Sequence, residues 1–170
     1  MRLARGELPA ALELLLASAS RDRAGGRPGD SANADLSAAS IEIELGSLDT
    51  ARRRIAGLVD GLPALRDVVL VAYAAATVSA IAAHDGDPEA AARLLGAADR
   101  LADDAGIPLF GGGERPIEDR RRSMVESALT REAFARAYES GAALDEDGLF
   151  RLLRTVVEAD VAASEDGARA

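Results

Sequence analysis

Apolar residues recur along most of the chain at the three- and four-residue spacing of amphipathic helices. The spacing predicts helices over residues 8–19, 31–45, 49–59, 64–84 and 88–105. Further helices are expected in the C-terminal third, where Leu149, Leu152 and Leu153 begin the apolar face of the last one. The pattern therefore predicts an all-α fold.

Three segments of the chain align without gaps at a period of forty residues. Gly6, Gly46 and Gly86 occupy the same place in each segment. Only glycine adopts a left-handed backbone at little cost, so each of these structural turn positions is expected to end a helix. A short polar turn and a second helix follow each glycine. The repeat predicts antiparallel helix hairpins stacked as a tetratricopeptide-like right-handed superhelix.

The first hairpin is incomplete, because its turn glycine is residue 6 and the preceding helix is missing from the sequence. We expect the chain to be the C-terminal piece of a longer protein, or to have a misplaced start site. Leu12, Leu15 and Leu16 form an apolar stripe that is expected to rest on the missing helix. Together with Leu8 they are the candidate self-association surface, and a homo-oligomer joined through the N-terminal hairpin is expected.

The predicted organisation has four parts: residues 1–105 are helical hairpins, 106–116 a Gly-rich loop, 117–162 C-terminal capping helices and 163–170 a disordered tail. Within the first part, residues 21–31 are rich in Gly, Pro and Arg and are expected to be a mobile surface loop. In the third part, Thr130 and Asp145 are expected to cap helices, and Gly141 is expected to close the one between them.

Amino-acid composition mainly excludes classes of function. Apolar residues make up 48% of the chain but aromatic residues only 3%, which suits closely packed Ala- and Leu-rich helices. Cysteine is absent and His84 is the single histidine, which excludes thiolate chemistry and histidine-based metal sites. A net charge of −9 disfavours nucleic-acid binding. The uncharged run 68–83 is too short for a membrane span, so a cytoplasmic protein without membrane contact is expected.

The C-terminal half resembles a known family. The residues that carry the resemblance are Gly86, Ala90, Ala91, Leu94, Leu95, Gly96, Ala97, Ala98, Leu101, Gly106, Pro108, Phe134, Tyr138, Gly141, Leu144 and Leu149. Their pattern is similar to the C-terminal helical region of large multidomain actinobacterial transcriptional regulators of the LuxR and antibiotic-regulatory type, and of related STAND-type predicted ATPases. The resemblance covers about two-fifths of the chain and implies a tetratricopeptide-like fold. It transfers no nucleotide-binding residue, since that domain is absent from the sequence.

Several motifs resemble functional sites but are better interpreted as structural features. Residues 111–115 form a Gly-rich run without the lysine of a phosphate-binding loop, and a linker is the simpler interpretation. The arginine triplets 52–54 and 120–122 are interpreted as solvated helix surface, with binding of an acidic partner as the alternative. Residues 145–148 lack the spacing of a calcium loop and are interpreted as a helix cap. His84 is interpreted as a helix C-cap and Tyr73 as a core residue.

Asp103 and Asp104 are adjacent carboxylates, but neighbouring helical residues diverge and no partner base is evident. The sequence therefore predicts no catalytic residue, no metal and no cofactor. Two function classes remain open. The first is a non-catalytic protein–protein interaction and regulatory module that binds a protein partner or itself. The alternative is a small-ligand sensor that binds an effector in a pocket between helices.

Overall fold

The computed structural model describes residues 7–106, 108 and 115–159. These residues form nine α-helices and contain no β-strand, which confirms the all-α prediction. The helices are α1 (Leu8–Ala24), α2 (Pro28–Glu44), α3 (Leu48–Val59), α4 (Leu62–Leu65), α5 (Val68–His84), α6 (Pro88–Ala105), α7 (Arg115–Ala128), α8 (Arg131–Ala142) and α9 (Glu146–Glu158).

Left-handed residues recur through the described chain every twenty residues, at positions 26, 46, 66, 86 and 106. Four of them are glycines: φ is 68° at Gly26, 78° at Gly46, 80° at Gly86 and 68° at Gly106. The fifth is Arg66, with φ of 51°. The forty-residue sequence repeat is therefore twice the twenty-residue spacing of the left-handed residues. Gly6 lies outside the described residues.

The prediction of a mobile surface loop at residues 21–31 is wrong. Helix α1 continues to Ala24 and α2 begins at Pro28, so the turn between them is short. Gly26 closes it with a Schellman pair of hydrogen bonds, in which the Gly26 N–H donates to the carbonyl of Arg23 and the Arg27 N–H to that of Asp22 (3.2 and 2.9 Å). Glycine and proline here make a tight turn, and α1 folds back on α2.

The helix expected at residues 64–84 is interrupted. Arg66 leaves the right-handed conformation, which separates the single turn α4 from α5. Asp67 then caps α5, because its carboxylate accepts hydrogen bonds from the backbone N–H groups of Val69 and Leu70 (3.0 and 3.2 Å). The chain therefore changes direction two residues before α5 begins.

The core is built around α5, whose side chains are buried on nearly every side. Helices α2, α3, α6, α7 and α9 all contact it. Helix α9 does not extend the array beyond α8 but packs back against α3, α5 and α6. Its buried face includes Leu149, Leu153 and Val157. This return of the last helix closes one continuous apolar core.

Helices α6 and α8 cross at two glycines. A Cβ on Gly96 would lie 2.0 Å from the Tyr138 carbonyl oxygen, and one on Gly141 would lie 1.9 Å from the Arg93 carbonyl oxygen. Gly141 was expected to close α8, but the helix continues to Ala142 and the glycine serves contact with α6. The expected caps are confirmed: Thr130 accepts a hydrogen bond from the Ala133 N–H.

Candidate functional site

The face of α1 that points away from α2 is the first candidate site. Helix α1 packs on α2, and its buried residues are Leu8 and Ala19. On the opposite side five exposed residues follow each other at three- and four-residue spacing: Glu7, Ala10, Leu14, Ala17 and Arg21. Leu14 has 73% of its surface exposed, the highest value among the large exposed apolar residues of the described chain. We call this line of five residues the outer seam of α1.

The structure changes the placement of the surface predicted from the sequence. Leu8 is buried, and Leu12, Leu15 and Leu16 are half-buried. With about 100° between successive helical residues, these leucines share the side of α1 that holds buried Ala19 and faces α2. The reason is the Gly26 turn, which brings α2 onto the stripe that was expected to rest on a helix before α1. The exposed candidate surface is the outer seam.

The arginine triplets form the expected solvated surface only in part, because Arg53 and Arg120 are exposed whereas the first and second arginines of the respective triplets are buried. Arg52 is 3% exposed and Arg121 is 7% exposed. The Arg121 guanidinium binds Ser40 and Glu44 of α2, with hydrogen bonds of 3.1 Å to the Ser40 hydroxyl and 3.2 Å to the Glu44 carboxylate. It thereby fixes α7 to the end of α2. Because successive residues point in different directions around a helix, the three arginines of a triplet contact different neighbours.

A second ionic network joins α1, α2 and α3. Asp35 and Glu42 of α2 are each 3% exposed. Arg54 of α3 donates two hydrogen bonds to Glu42 (3.0 and 2.7 Å) and one to Asp35 (2.9 Å). Arg23 of α1 completes it with a bond of 2.6 Å to Asp35. The hydrogen bonds with Glu42 raise the pKa of Arg54, and both buried carboxylates are matched by guanidinium groups that hold helices together.

A third polar cluster lies where α6, α7 and α8 meet. The Asp99 carboxylate accepts hydrogen bonds from the Tyr138 hydroxyl and from the Arg122 guanidinium, both at 2.6 Å. Burial of the ring, followed by the bond to Asp99, raises the pKa of Tyr138 to about 12. The phenol is therefore held in its protonated form by its surroundings.

This pKa gives an alkaline prediction. Because the folded pKa lies above the ordinary value of 10.0, the contribution of Tyr138 to stability is complete below pH 10.0 and is lost as the pH rises through about 12. In a Tyr73→Phe variant, Tyr138 is the only tyrosine, and tyrosinate absorbance should titrate near 12. Adding Asp99→Asn should lower that midpoint. An ordinary midpoint in the Tyr73→Phe protein would contradict the burial of the Tyr138 ring, and an unchanged midpoint after Asp99→Asn would contradict the Asp99 contact.

A cleft lies between the start of α5 and the α8–α9 junction. Its volume is about 410 Å³. The lining residues are Leu62, Pro63, Arg66, Asp67, Val68, Val71, Arg100, Leu101, Leu144, Asp145, Glu146, Leu149 and Phe150. Of the charged residues among them, Asp145 and Glu146 belong to the segment interpreted from the sequence as a helix cap, and the others carry no prediction. The available signal was Arg66, which occupies a twenty-residue position where the other four are glycine.

Three further residues considered in the sequence lie where their interpretation predicts. Asp145 is a helix cap as expected, since it accepts a hydrogen bond from the Gly148 N–H at 2.8 Å. Tyr73 is a core residue, 8% exposed, whose hydroxyl is 3.3 Å from that of Ser37. His84 ends α5. Residues 111–114 lie outside the described part of the chain.

Comparison of the chain with family models, curated proteins and solved structures gives no significant match. Within residues 7–106 and 115–159, no group of three or more acidic or histidine side chains is arranged to hold a metal ion. None of the helices described above is long and apolar enough to cross a membrane.

Proposed function

We propose that this chain is a non-catalytic protein–protein interaction and regulatory module that associates with a second copy of itself through the outer seam of α1. The observation that carries the proposal is the exposed line centred on Leu14. Helix α1 packs mainly on α2, and its exposed side presents an apolar centre flanked by opposite charges.

The seam is complementary to itself in an antiparallel arrangement. If two α1 helices pair about a twofold axis at Leu14, Leu14 meets its own copy and Ala10 lies opposite the partner's Ala17. Glu7 then lies opposite the partner's Arg21. The alanines permit close approach of the two helices, and each ion pair occurs twice because a twofold interface is isologous.

The apolar contact dominates the expected energy. Burial of a leucine side chain contributes about 1.5–3 kcal/mol, whereas an exposed ion pair contributes about 0.2–1 kcal/mol. Leu14 therefore supplies affinity, and the Glu7–Arg21 pairs set the antiparallel orientation.

The stacking of hairpins as tetratricopeptide-like units belongs to the same proposal. It is supported by the contacts of both α2 and α3 with α5, which link one hairpin to the next. The relation to C-terminal regions of LuxR-type and STAND-type regulators is supported by Gly96, Tyr138 and Gly141. These residues of the shared pattern meet at the α6–α8 crossing, so the resemblance covers a packing unit.

The first test is the oligomeric state at micromolar concentration. We expect light scattering to show a dimer for the unaltered chain. Leu14→Glu should weaken association by about a hundredfold or more, because the change occurs twice in the interface. Met124→Glu is the matched control, since Met124 is 43% exposed on α7, away from the seam. A monomer at every concentration would contradict self-association.

A charge reversal tests the orientation. Glu7→Arg and Arg21→Glu should each weaken the dimer by about tenfold, because each places like charges opposite one another. The double variant should restore association, since the pairs reform with opposite polarity. Failure of the double variant to recover would exclude the antiparallel arrangement while leaving the role of Leu14 open to the first test.

A further inference from the structure

The cleft between α5 and α9 has the size and lining of a small-molecule site. Its volume of about 410 Å³ falls within the range of about 300–1,000 Å³ that ligand pockets occupy. Val71 and Leu101, both half-buried, supply apolar walls, and Leu62 and Phe150 line the cleft at 1% and 4% exposed. Val68, also in the lining, is 40% exposed, which leaves an apolar side chain available to a ligand.

Arg66 stands at this cleft in a backbone conformation that is unfavourable for arginine. Its φ is 51°, whereas the four corresponding turns use glycine, for which such values cost little. The side chain is exposed, and no carboxylate of the described residues forms an ion pair with it. Strained residues of this kind cluster at ligand sites, where the interactions of the side chain compensate for the backbone strain.

Arg100 is a second, independent feature of the same cleft. Its terminal nitrogens bind Asp104 (2.9 Å) and the Leu144 carbonyl oxygen (3.3 Å). Its Nε is buried and has no hydrogen-bond acceptor among the described residues. A buried donor without an acceptor is costly, and a ligand oxygen is one group that would satisfy it.

The acidic residues of the lining do not form ion pairs with Arg66 or Arg100. Asp67 caps α5 and Asp145 caps α9, so their carboxylates face backbone N–H groups. Glu146 lies in the first turn of α9 and suits that helix dipole. The cleft thus combines apolar walls with one unpaired guanidinium and one buried guanidinium donor.

We infer that this cleft binds a small amphipathic carboxylate. The apolar body of the ligand lies among Leu62, Val71, Leu101 and Phe150, and its carboxylate accepts charge-assisted hydrogen bonds from Arg66. This site is separate from the outer seam of α1, so its failure would leave the proposed self-association untouched, and the reverse holds as well.

Octanoate is a suitable probe, with octan-1-ol as the neutral molecule of the same chain length. We expect isothermal titration calorimetry to detect octanoate binding, and octan-1-ol to bind about tenfold or more weakly because it cannot form the charge-assisted bonds. Amide NMR shifts should be centred on Val68, Leu101 and Leu149. No octanoate binding at millimolar concentration, equal binding of both probes, or shifts centred elsewhere would overturn the inference.

Arg66→Gly separates ligand binding from folding. Glycine relieves the left-handed strain, so this variant should melt at or above the temperature of the unaltered chain. It should also bind octanoate at least tenfold more weakly, because the unpaired guanidinium is gone. Arg53→Ala, which removes an exposed arginine of α3, should bind octanoate like the unaltered chain. Unchanged octanoate affinity in Arg66→Gly would overturn the role of Arg66 and with it the proposed site.

Discussion

Replacing Gly141 by alanine is expected to destabilise the fold by about 3 kcal/mol or more. The added Cβ would lie 1.9 Å from the carbonyl oxygen and 2.5 Å from the Cα of Arg93. These atoms belong to the backbone of α6, so no side-chain rotation relieves the overlap. Helices α6 and α8 would have to separate, and the packing along their crossing would be lost. Urea unfolding followed by far-ultraviolet circular dichroism measures the change.

Gly96→Ala should have a similar effect, because its Cβ would meet the Tyr138 carbonyl oxygen at 2.0 Å. The double variant should cost less than the sum of the two, since helices already separated by one methyl group accommodate the second. Gly57→Ala is the control: Gly57 is an exposed position within α3 with open space around it. It should gain about 0.5–1 kcal/mol. Equal, small effects at all three positions would contradict the close crossing.

Arg52→Met is expected to destabilise the chain by about 2–3 kcal/mol, because the buried guanidinium is removed from a carbonyl group of α9 and from the exposed carboxylate of Asp85. The Arg52 guanidinium donates to the Val156 carbonyl oxygen and to the Asp85 carboxylate, both at 2.6 Å. Val156 lies in the last turn of α9, where carbonyl groups have no partner within the helix. Asp85 follows the end of α5. One side chain of α3 thus binds a carbonyl group at the end of α9 and the carboxylate of the residue that follows α5.

Arg53 provides the matched control, because it is the exposed neighbour of Arg52 and makes one long contact, 3.5 Å, to Thr50. Arg53→Met should change the unfolding free energy by no more than about 0.5 kcal/mol. Arg52→Lys should recover little stability, since a single ammonium group does not reproduce the planar fork that reaches two acceptors. If Arg52→Met and Arg53→Met unfold at the same urea concentration, the buried bridge contributes nothing.

Local chemistry determined much of the secondary structure. Helix positions follow from the apolar spacing, because an α-helix can bury only residues that share a face. Glycine at 46 and 86 predicts left-handed turns, and the backbone there has positive φ. Asp145 and Thr130 predict helix caps for the same kind of reason: the hydrogen bond is made within three residues of the side chain.

The same local reasoning failed where glycine had more than one use. Residues 21–31 contain several turn-forming residues and were interpreted as a long loop, yet Gly26 alone makes the turn. Gly141 was interpreted as a helix end because a mid-helix glycine is unfavourable by propensity. Its value appears only when α6 lies against it. Local sequence alone does not distinguish a glycine that ends a helix from one that allows the backbone of another helix to approach closely.

Tertiary structure alone decided which charges are buried and which surfaces remain open. Arginine is typical of protein surfaces, and the burial of Arg52 and Arg121 depends in part on acceptors more than seventy positions away in sequence. The exposed face of α1 depends on the direction in which the Gly26 turn folds α2. The cleft beside Arg66 exists because α9 returns to α5. Helix formation is governed by residues three and four positions apart, whereas these features depend on contacts between helices distant in the chain.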